Sequence, residues 1–165
     1  MIARQVVATA FVLLYGCADQ RVETHPVKIT RAHACALDDM TVIDHHGPKA
    51  QLVHRDNSRA FFCDAKEVFT ELLNPIHRKK VAQVWFQTLD DNPWQSHPDG
   101  WAEATDLYFV SGSAKRGSMG PTIAPFESRA KAVAFVERYG GKIYQFADID
   151  QAVIKALHQQ GMAQF

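Results

Sequence analysis

Two ten-residue stretches of this chain read alike, and they constrain its fold more than any other feature. Ala60-Phe-Phe-Cys-Asp-Ala-Lys-Glu-Val-Phe and Ala124-Pro-Phe-Glu-Ser-Arg-Ala-Lys-Ala-Val each pass from an aromatic strand through a capping residue into a helix. In the first, Asp64 stands at the expected N-cap with Glu67 three residues on, a variant of the capping box. Val68, Phe69, Leu72 and Leu73 then recur at helical spacing, and Pro75 predicts the stop. In the second, Glu127-Ser128 opens a helix that buries Ala132, Val133, Phe135 and Val136, and Gly140-Gly141 closes it. The repeat predicts an internal duplication and an α+β fold of two small related lobes of antiparallel strands plus helix.

The flanking patterns fill in each lobe. Residues 41–43, 50–53 and 60–62 read as strands separated by the His45-His-Gly-Pro48 and Asp56-Asn-Ser58 turns, because Asn, Asp, Ser, Gly and Pro favour local turn geometry. The first lobe, about 33–80, therefore predicts β-β-β-α. In the second, about 81–165, the alternation over 81–86 predicts a strand and the proline-containing stretch 90–100 a loop. Strands follow at 104–110, 122–126 and 142–146, with a loop over 112–120 and a last helix over 149–158.

The N-terminus reads as an address rather than as structure. Arg4 is the only charge ahead of an apolar run from Val6 to Tyr15. A short positive region and an apolar stretch of about 7–15 residues mark a secretory signal peptide. A bilayer span would need about 20 apolar residues. The run ends in Leu14-Tyr15-Gly16-Cys17, which looks like a lipobox: an apolar residue three before the cysteine and a small one directly before it. Residues 1–16 are thus expected to be removed, Cys17 to be lipidated, and the polar residues 17–32 to serve as a tether. The residue after Cys17 is not aspartate, which favours the outer membrane over the inner, facing the periplasm. Basic and acidic side chains balance at 18 each, so no nucleic-acid footprint is expected.

Export sharpens the cysteine arithmetic. Of three cysteines, Cys35 and Cys63 remain in an oxidising compartment, where two cysteines commonly pair. A Cys35–Cys63 disulfide in a non-metal structural or assembly lipoprotein is the alternative reading. Cys63 itself reads as a small buried hydrophobe, although a helix N-terminus beside it would lower its pKa. Against the disulfide stand two segments with soft donors. His33-Ala-Cys35-Ala-Leu-Asp38-Asp39-Met40 is one, and Gly112-Ser-Ala-Lys-Arg-Gly117-Ser118-Met119-Gly120-Pro121 is the other. Methionine usually packs cores, so Met119 between glycines suggests another use. Thiolate and thioether select Cu(I) over hard cations. Cys35 and Met119 lead this set, and Met40 can join only if the chain turns after Cys35. Asp38 and His33 are the remaining candidates.

These segments carry a family resemblance that extends over essentially all of the chain after Cys17. The lipobox, Cys35 with Met40, Ala60-Phe-Phe-Cys-Asp, Asp106-Leu-Tyr-Phe-Val-Ser-Gly112, Gly117-Ser-Met-Gly120, Ile123-Ala-Pro-Phe126 and Gly140-Gly141 together resemble the NosL family. Many members show Cys-x-x-Cys-Gly-Met in the first loop. Here Asp38 and Asp39 stand in place of the second cysteine and the glycine, which argues against a dithiolate site and favours one thiolate, from Cys35, with thioether from Met119 and with Met40, Asp38 or a histidine to complete the shell. The resemblance implies a copper-binding domain over 33–165 that carries Cu(I) as a metallochaperone to apo nitrous oxide reductase. An associated ABC-type transporter complex is the further partner it implies, with lipid as the membrane contact.

Enzymatic readings find little support. The chain has no Cys-x-x-Cys for thiol exchange, no nucleophile elbow and no His-Glu-x-x-His, so the expectation is a carrier without turnover.

Overall fold

The structure, a computed structural model, describes residues 22–90, 94 and 100–162. The expected signal peptide and lipobox, with Cys17, lie outside the described residues.

Among the described residues, two antiparallel sheets and four α-helices form an α+β fold. The first sheet has the order β2-β1-β3-β4, with β1 over Ala50–His54, β2 over Arg59–Phe62, β3 over Val81–Gln87 and β4 over Trp101–Glu103. The second has the order β6-β5-β7, with β5 over Tyr108–Gly117, β6 over Gly120–Phe126 and β7 over Lys142–Gln145. Helix α1 covers Ala65–Leu72, α2 Pro75–Lys80, α3 Arg129–Tyr139 and α4 Gln151–Met162.

The duplication is present, but in a different frame from the one expected. Each sheet contains a hairpin, then helix, then a third strand returning antiparallel beside the first strand of the hairpin. In one lobe β1 pairs with β2 and, after α1 and α2, with β3. In the other β5 pairs with β6 and, after α3, with β7. The repeat is ββαβ rather than βββα, because residues 41–43 form no strand. Thr41 makes a single bridge to Ala34, and Val42–Asp44 turn into a 3-10 helix. Sheet membership also moves the division between lobes from 80/81 to beyond Glu103, since β3 and β4 complete the first sheet.

The first helix stops before Pro75 as expected, and Pro75 also starts α2, where it occupies the first turn, a position that needs no N–H, behind an Asn74 cap. Two further expectations are corrected. The supposed loop over 112–120 is mostly strand, for β5 runs to Gly117 and turns at Ser118-Met119 into β6. The described part of the expected tether is docked on the first sheet. Gln51 exchanges two hydrogen bonds with the Val27 backbone, at 3.0 and 2.6 Å, and Trp85 Nε1 donates to Thr24 O at 2.6 Å. Ile29 is buried beside Cys35, Val42 and Cys63. Polar composition hid this docking, because backbone groups rather than apolar side chains make most of it.

One shared core joins the lobes. Phe69 from α1, Phe86 from β3 and Phe109 from β5 meet with ring centroids 5.0–5.5 Å apart, and Phe146 closes on Phe69 at 5.7 Å. Edge and offset contacts at this spacing are favourable for aromatic rings. Leu52, Phe62, Ile123 and Leu157 belong to the same cluster, so the largest core draws on both lobes, beside a smaller cluster in each. Phe86→Ala is expected to destabilise the whole domain by about 3–5 kcal/mol. Urea unfolding followed by intrinsic fluorescence and by circular dichroism should show one coincident transition at a lower midpoint.

Candidate metal centre

The site lies where β2 ends and α1 begins. Phe62 is the last strand residue, Asp64 is the N-cap, and Cys63 sits between them. A true capping box forms: the Lys66 amide donates to Asp64 Oδ1 at 3.1 Å and the Asp64 amide to Glu67 Oε2 at 3.1 Å. Cap and strand together fix Cys63 with its side chain fully buried.

Cys35 is brought to the same place by its own loop. Its N–H donates to Met40 O at 2.8 Å, and the Asp39 N–H returns a bond to Cys35 O at 3.0 Å. Asp39 takes the left-handed φ of 59° that this tight turn needs. The turn the sequence required for Met40 is therefore made. The Ala36 N–H donates to Phe61 O at 2.8 Å and Cys35 bridges Phe61, which lays the loop along β2, two residues from Cys63. One ligating atom each of Cys35, Asp38 and Cys63 lie within 4.8 Å of one another. An ion with metal–sulfur bonds of about 2.3 Å can bridge such a span.

Both thiols are free; the disulfide of the alternative reading is not formed. Cys35 is 1% exposed and Cys63 0%. Burial pushes both thiols above their ordinary range; at Cys63 the Cys35 thiol adds to it, and at Cys35 backbone hydrogen bonds partly oppose it. The expected lowering of Cys63 by the helix N-terminus is thus outweighed by desolvation. Cys35 Sγ donates to Glu67 Oε2 at 3.6 Å, and burial raises Glu67 as well. Lys49, 1% exposed, donates from Nζ to His46 O at 3.1 Å and Gly47 O at 2.7 Å. Desolvation lowers its pKa to about 8, against the pull of Asp64, Cys63 and Glu67. A buried cation therefore faces the group of acids and thiols.

The other sequence candidates are distributed around this centre. Met40 is half-buried and packs on the cluster of Cys35, Val42 and Cys63. Asp38 Oδ1 accepts from the Met40 amide at 3.1 Å, which keeps its carboxylate at the loop mouth. His33 packs on Phe61 with tilted rings, centroids 4.3 Å apart, and its Nδ1 accepts the Thr30 N–H at 2.9 Å. That bond occupies the Nδ1 lone pair, and His33 is outside the Cys35–Asp38–Cys63 group. Met119 stands at the tip of the β5–β6 hairpin, 45% exposed, and lines a groove with Lys66, Pro121, His158 and Met162. Its neighbour Ser118 donates to Cys63 O at 3.3 Å. Cys63 is the residue sequence reasoning passed over as a donor. Its place directly before a cap gives no local signal of the Cys35 loop, which reaches it through the Ala36–Phe61 bond.

Fold and centre define an α+β domain that gathers two thiols, a carboxylate and a flanking thioether at one helix cap. The family model for NosL matches residues 26–154, and the chain belongs to the NosL family. The copper-binding lipoprotein NosL of Stutzerimonas stutzeri is 29% identical over 146 residues, covering 86% of this chain and 76% of that protein. That of Achromobacter cycloclastes is 31% identical over 158 residues, covering 90% and 80%. The crystal structure of the copper chaperone NosL from Shewanella denitrificans superposes with a TM-score of 0.76 at 34% identity, covering 78% of this chain and 98% of that one.

Burial and raised thiol pKa values predict slow chemistry in the native protein. Iodoacetamide at pH 7.5 should leave native Cys35 and Cys63 largely unmodified, yet add two carbamidomethyl groups to them after unfolding without reductant. A mass two hydrogens lighter, unchanged by alkylation, would establish the disulfide instead.

Proposed function

We propose that this protein is a copper carrier that binds Cu(I) at the Cys35–Cys63 centre and gives it up to another protein without catalysing a reaction. The adjacency of two free, buried thiols in a lobe flanked by methionines supports this reading most directly. Thiolate suits Cu(I) better than it suits hard cations, and the copper chaperone from Shewanella denitrificans shares the fold. Cys35 and Cys63 would be the anionic donors. Met40 and Met119 would be the thioether donors, Asp38 a donor at the mouth, and His33 a residue that must surrender its bond to Thr30 before it can ligate. Delivery for assembly of the copper centres of nitrous oxide reductase, with an associated ABC-type transporter complex, belongs to the same proposal. So do lipidation at Cys17 and a periplasm-facing position, on the outer membrane rather than the inner.

Ligation must displace the thiol protons, because both pKa values are raised well above neutral. Apparent affinity therefore rises with pH, by about tenfold per unit for each proton displaced. Competition of the reduced protein against a Cu(I) chelator at pH 6.5, 7.5 and 8.5, corrected for the chelator's own protonation, should show a two-proton slope. Cys63→Ser should reduce the slope to one proton, and Cys35→Ser should weaken binding more than about 100-fold, beyond the range of an outer-shell change. Affinity in the Cys35→Ser, Cys63→Ser double variant equal to that of the unaltered protein would refute the copper site.

The anchor is tested separately. Cys17→Ser should release the protein from the membrane fraction and lower the copper content of nitrous oxide reductase matured in the same cells. Full copper loading by the released form would show that lipid is dispensable for delivery.

A further inference from the structure

Helix α1 carries a lysine in its first turn, where a helix would least favour one. Lys66 lies in the first turn, where the helix dipole opposes a positive charge, and it is 8% exposed, where an ammonium loses most of its hydration. Neither placement serves the helix. Its Nζ crosses instead to the β5–β6 hairpin and donates to Met119 O at 2.6 Å and Pro121 O at 2.9 Å. These carbonyls flank Gly120, at the end of the turn that carries Met119.

Other groups tie the same two pieces of chain together. Thr122 Oγ1 donates to Asp64 Oδ1, and the Ser118 hydroxyl donates to Cys63 O at 3.3 Å. Gly117 lies so close to the cap that a Cβ there would fall 2.0 Å from Asp64 Oδ2; only glycine allows the approach. Residues 117–122 are therefore fastened to residues 63–66, one strand-turn against one helix cap. The Met119 side chain escapes this fastening and stays 45% exposed.

We infer that Lys66 is a positioning residue for the metal centre: it ties the Met119 backbone to the helix cap that follows Cys63, and so fixes the point from which the exposed thioether can reach an ion held by the thiols. This rests on the reading of Met119 as a copper donor. Two carbonyls held by one ammonium fix the position of the Met119 α-carbon while leaving its side chain free to change partners. A ligand that must both bind an ion and release it to another protein needs that combination.

A double-mutant cycle tests it, with Cu(I) affinity by chelator competition and the number of sulfurs per copper by X-ray absorption as readouts. Lys66→Met removes both bonds and keeps the side chain's length. It should weaken Cu(I) binding by about tenfold, the lower end for residues that orient a ligand, and remove one sulfur from the copper shell, as Met119→Leu does. In the Met119→Leu background Lys66→Met should change neither quantity. Lys66→Arg, which keeps its donors, should restore most of the affinity and the missing sulfur. Should Lys66→Met not fold by circular dichroism, Lys66→Gln takes its place in the cycle. Equal losses in both backgrounds, or an unaltered copper shell in Lys66→Met, would overturn the positioning role. If Met119→Leu alone changes nothing while Cys35→Ser abolishes binding, the inference falls and the thiol centre stands. If Cys35→Ser, Cys63→Ser binds as the unaltered protein does, the copper reading falls with it.

Discussion

The capping box of helix α1 is the joint on which the rest of the molecule turns. A helix N-terminus has amide donors with no partner of their own, and Asp64 and Glu67 satisfy two of them with their side chains. Such a cap is ordinarily worth about 0.5–2 kcal/mol to its own helix. Here both carboxylates do more. Glu67 also accepts from the Cys35 thiol, and Asp64 from Thr122 of β6. One cap therefore holds four segments in register: the Cys35 loop, the end of β2, α1 and the β5–β6 hairpin. Loss of Asp64 would not merely fray a helix; it would also remove the bond to Thr122 and loosen the hairpin at the place where the thiols lie.

Burying so many ionisable groups at one point is costly, and the surroundings show how the cost is met. Asp64 and Glu67 are both pushed up by desolvation, and hydrogen bonds and the Lys66 charge pull Asp64 part of the way back. Lys49 is pushed down by the same burial and held up by the acids. Below its folded value near 8, Lys49 is charged in both folded and unfolded chains and its full desolvation cost is felt; as pH rises from 8 toward 10.5, that cost is relieved. The thiols behave oppositely. Protonated in both states at neutral pH, they cost stability only above about pH 9, where the unfolded chain ionises and the folded one resists. Near neutrality the centre therefore holds its thiols as neutral groups beside a buried cation. An arriving monovalent metal ion would exchange for protons and leave Lys49 to balance the thiolates.

Much of this fold could be read from residues, because the informative patterns were local. Strand, cap and helix at 60–69 and at 124–133 announced a duplicated unit, and Asp64 with Glu67 announced the box that the structure contains. What escaped was decided by distance in the chain. Whether 41–43 or 81–87 supplies the third strand depends on which segment pairs with β1, and alternation alone ranks them equally. The stretch 22–32 looked like a tether because its contacts with Gln51 and Trp85 use its backbone, which composition does not record. The centre divided in the same way. Cys35, Asp38 and Met40 share one loop and were legible together. Cys63 joins them only because Ala36 donates to Phe61 across 25 residues, and a lone cysteine beside a cap carries no mark of such a neighbour.

The contrast between buried thiols and exposed thioether bears on how a carrier of this kind could be both tight and quick. Two anionic sulfurs sealed from solvent would hold a soft ion firmly, but an incoming protein cannot reach them directly. Opening the Cys35 loop would mean breaking the pairing of Cys35 with Met40 and of Ala36 with Phe61, so unaided release through the thiols should be slow. Met119 stands outside that seal on a hairpin whose backbone is fixed and whose side chain is not. On the copper-carrier reading, exchange would proceed through the neutral donor first. The thioether would move toward a partner's ligand and leave the ion briefly under-coordinated, and the thiolates would regain their protons as it departs. Raised thiol pKa values favour that last step, since a thiolate that readily takes back a proton competes poorly for the metal once a partner offers its own ligands. The burial that protects Cys35 and Cys63 in the empty protein would then also drive the release of what they carry.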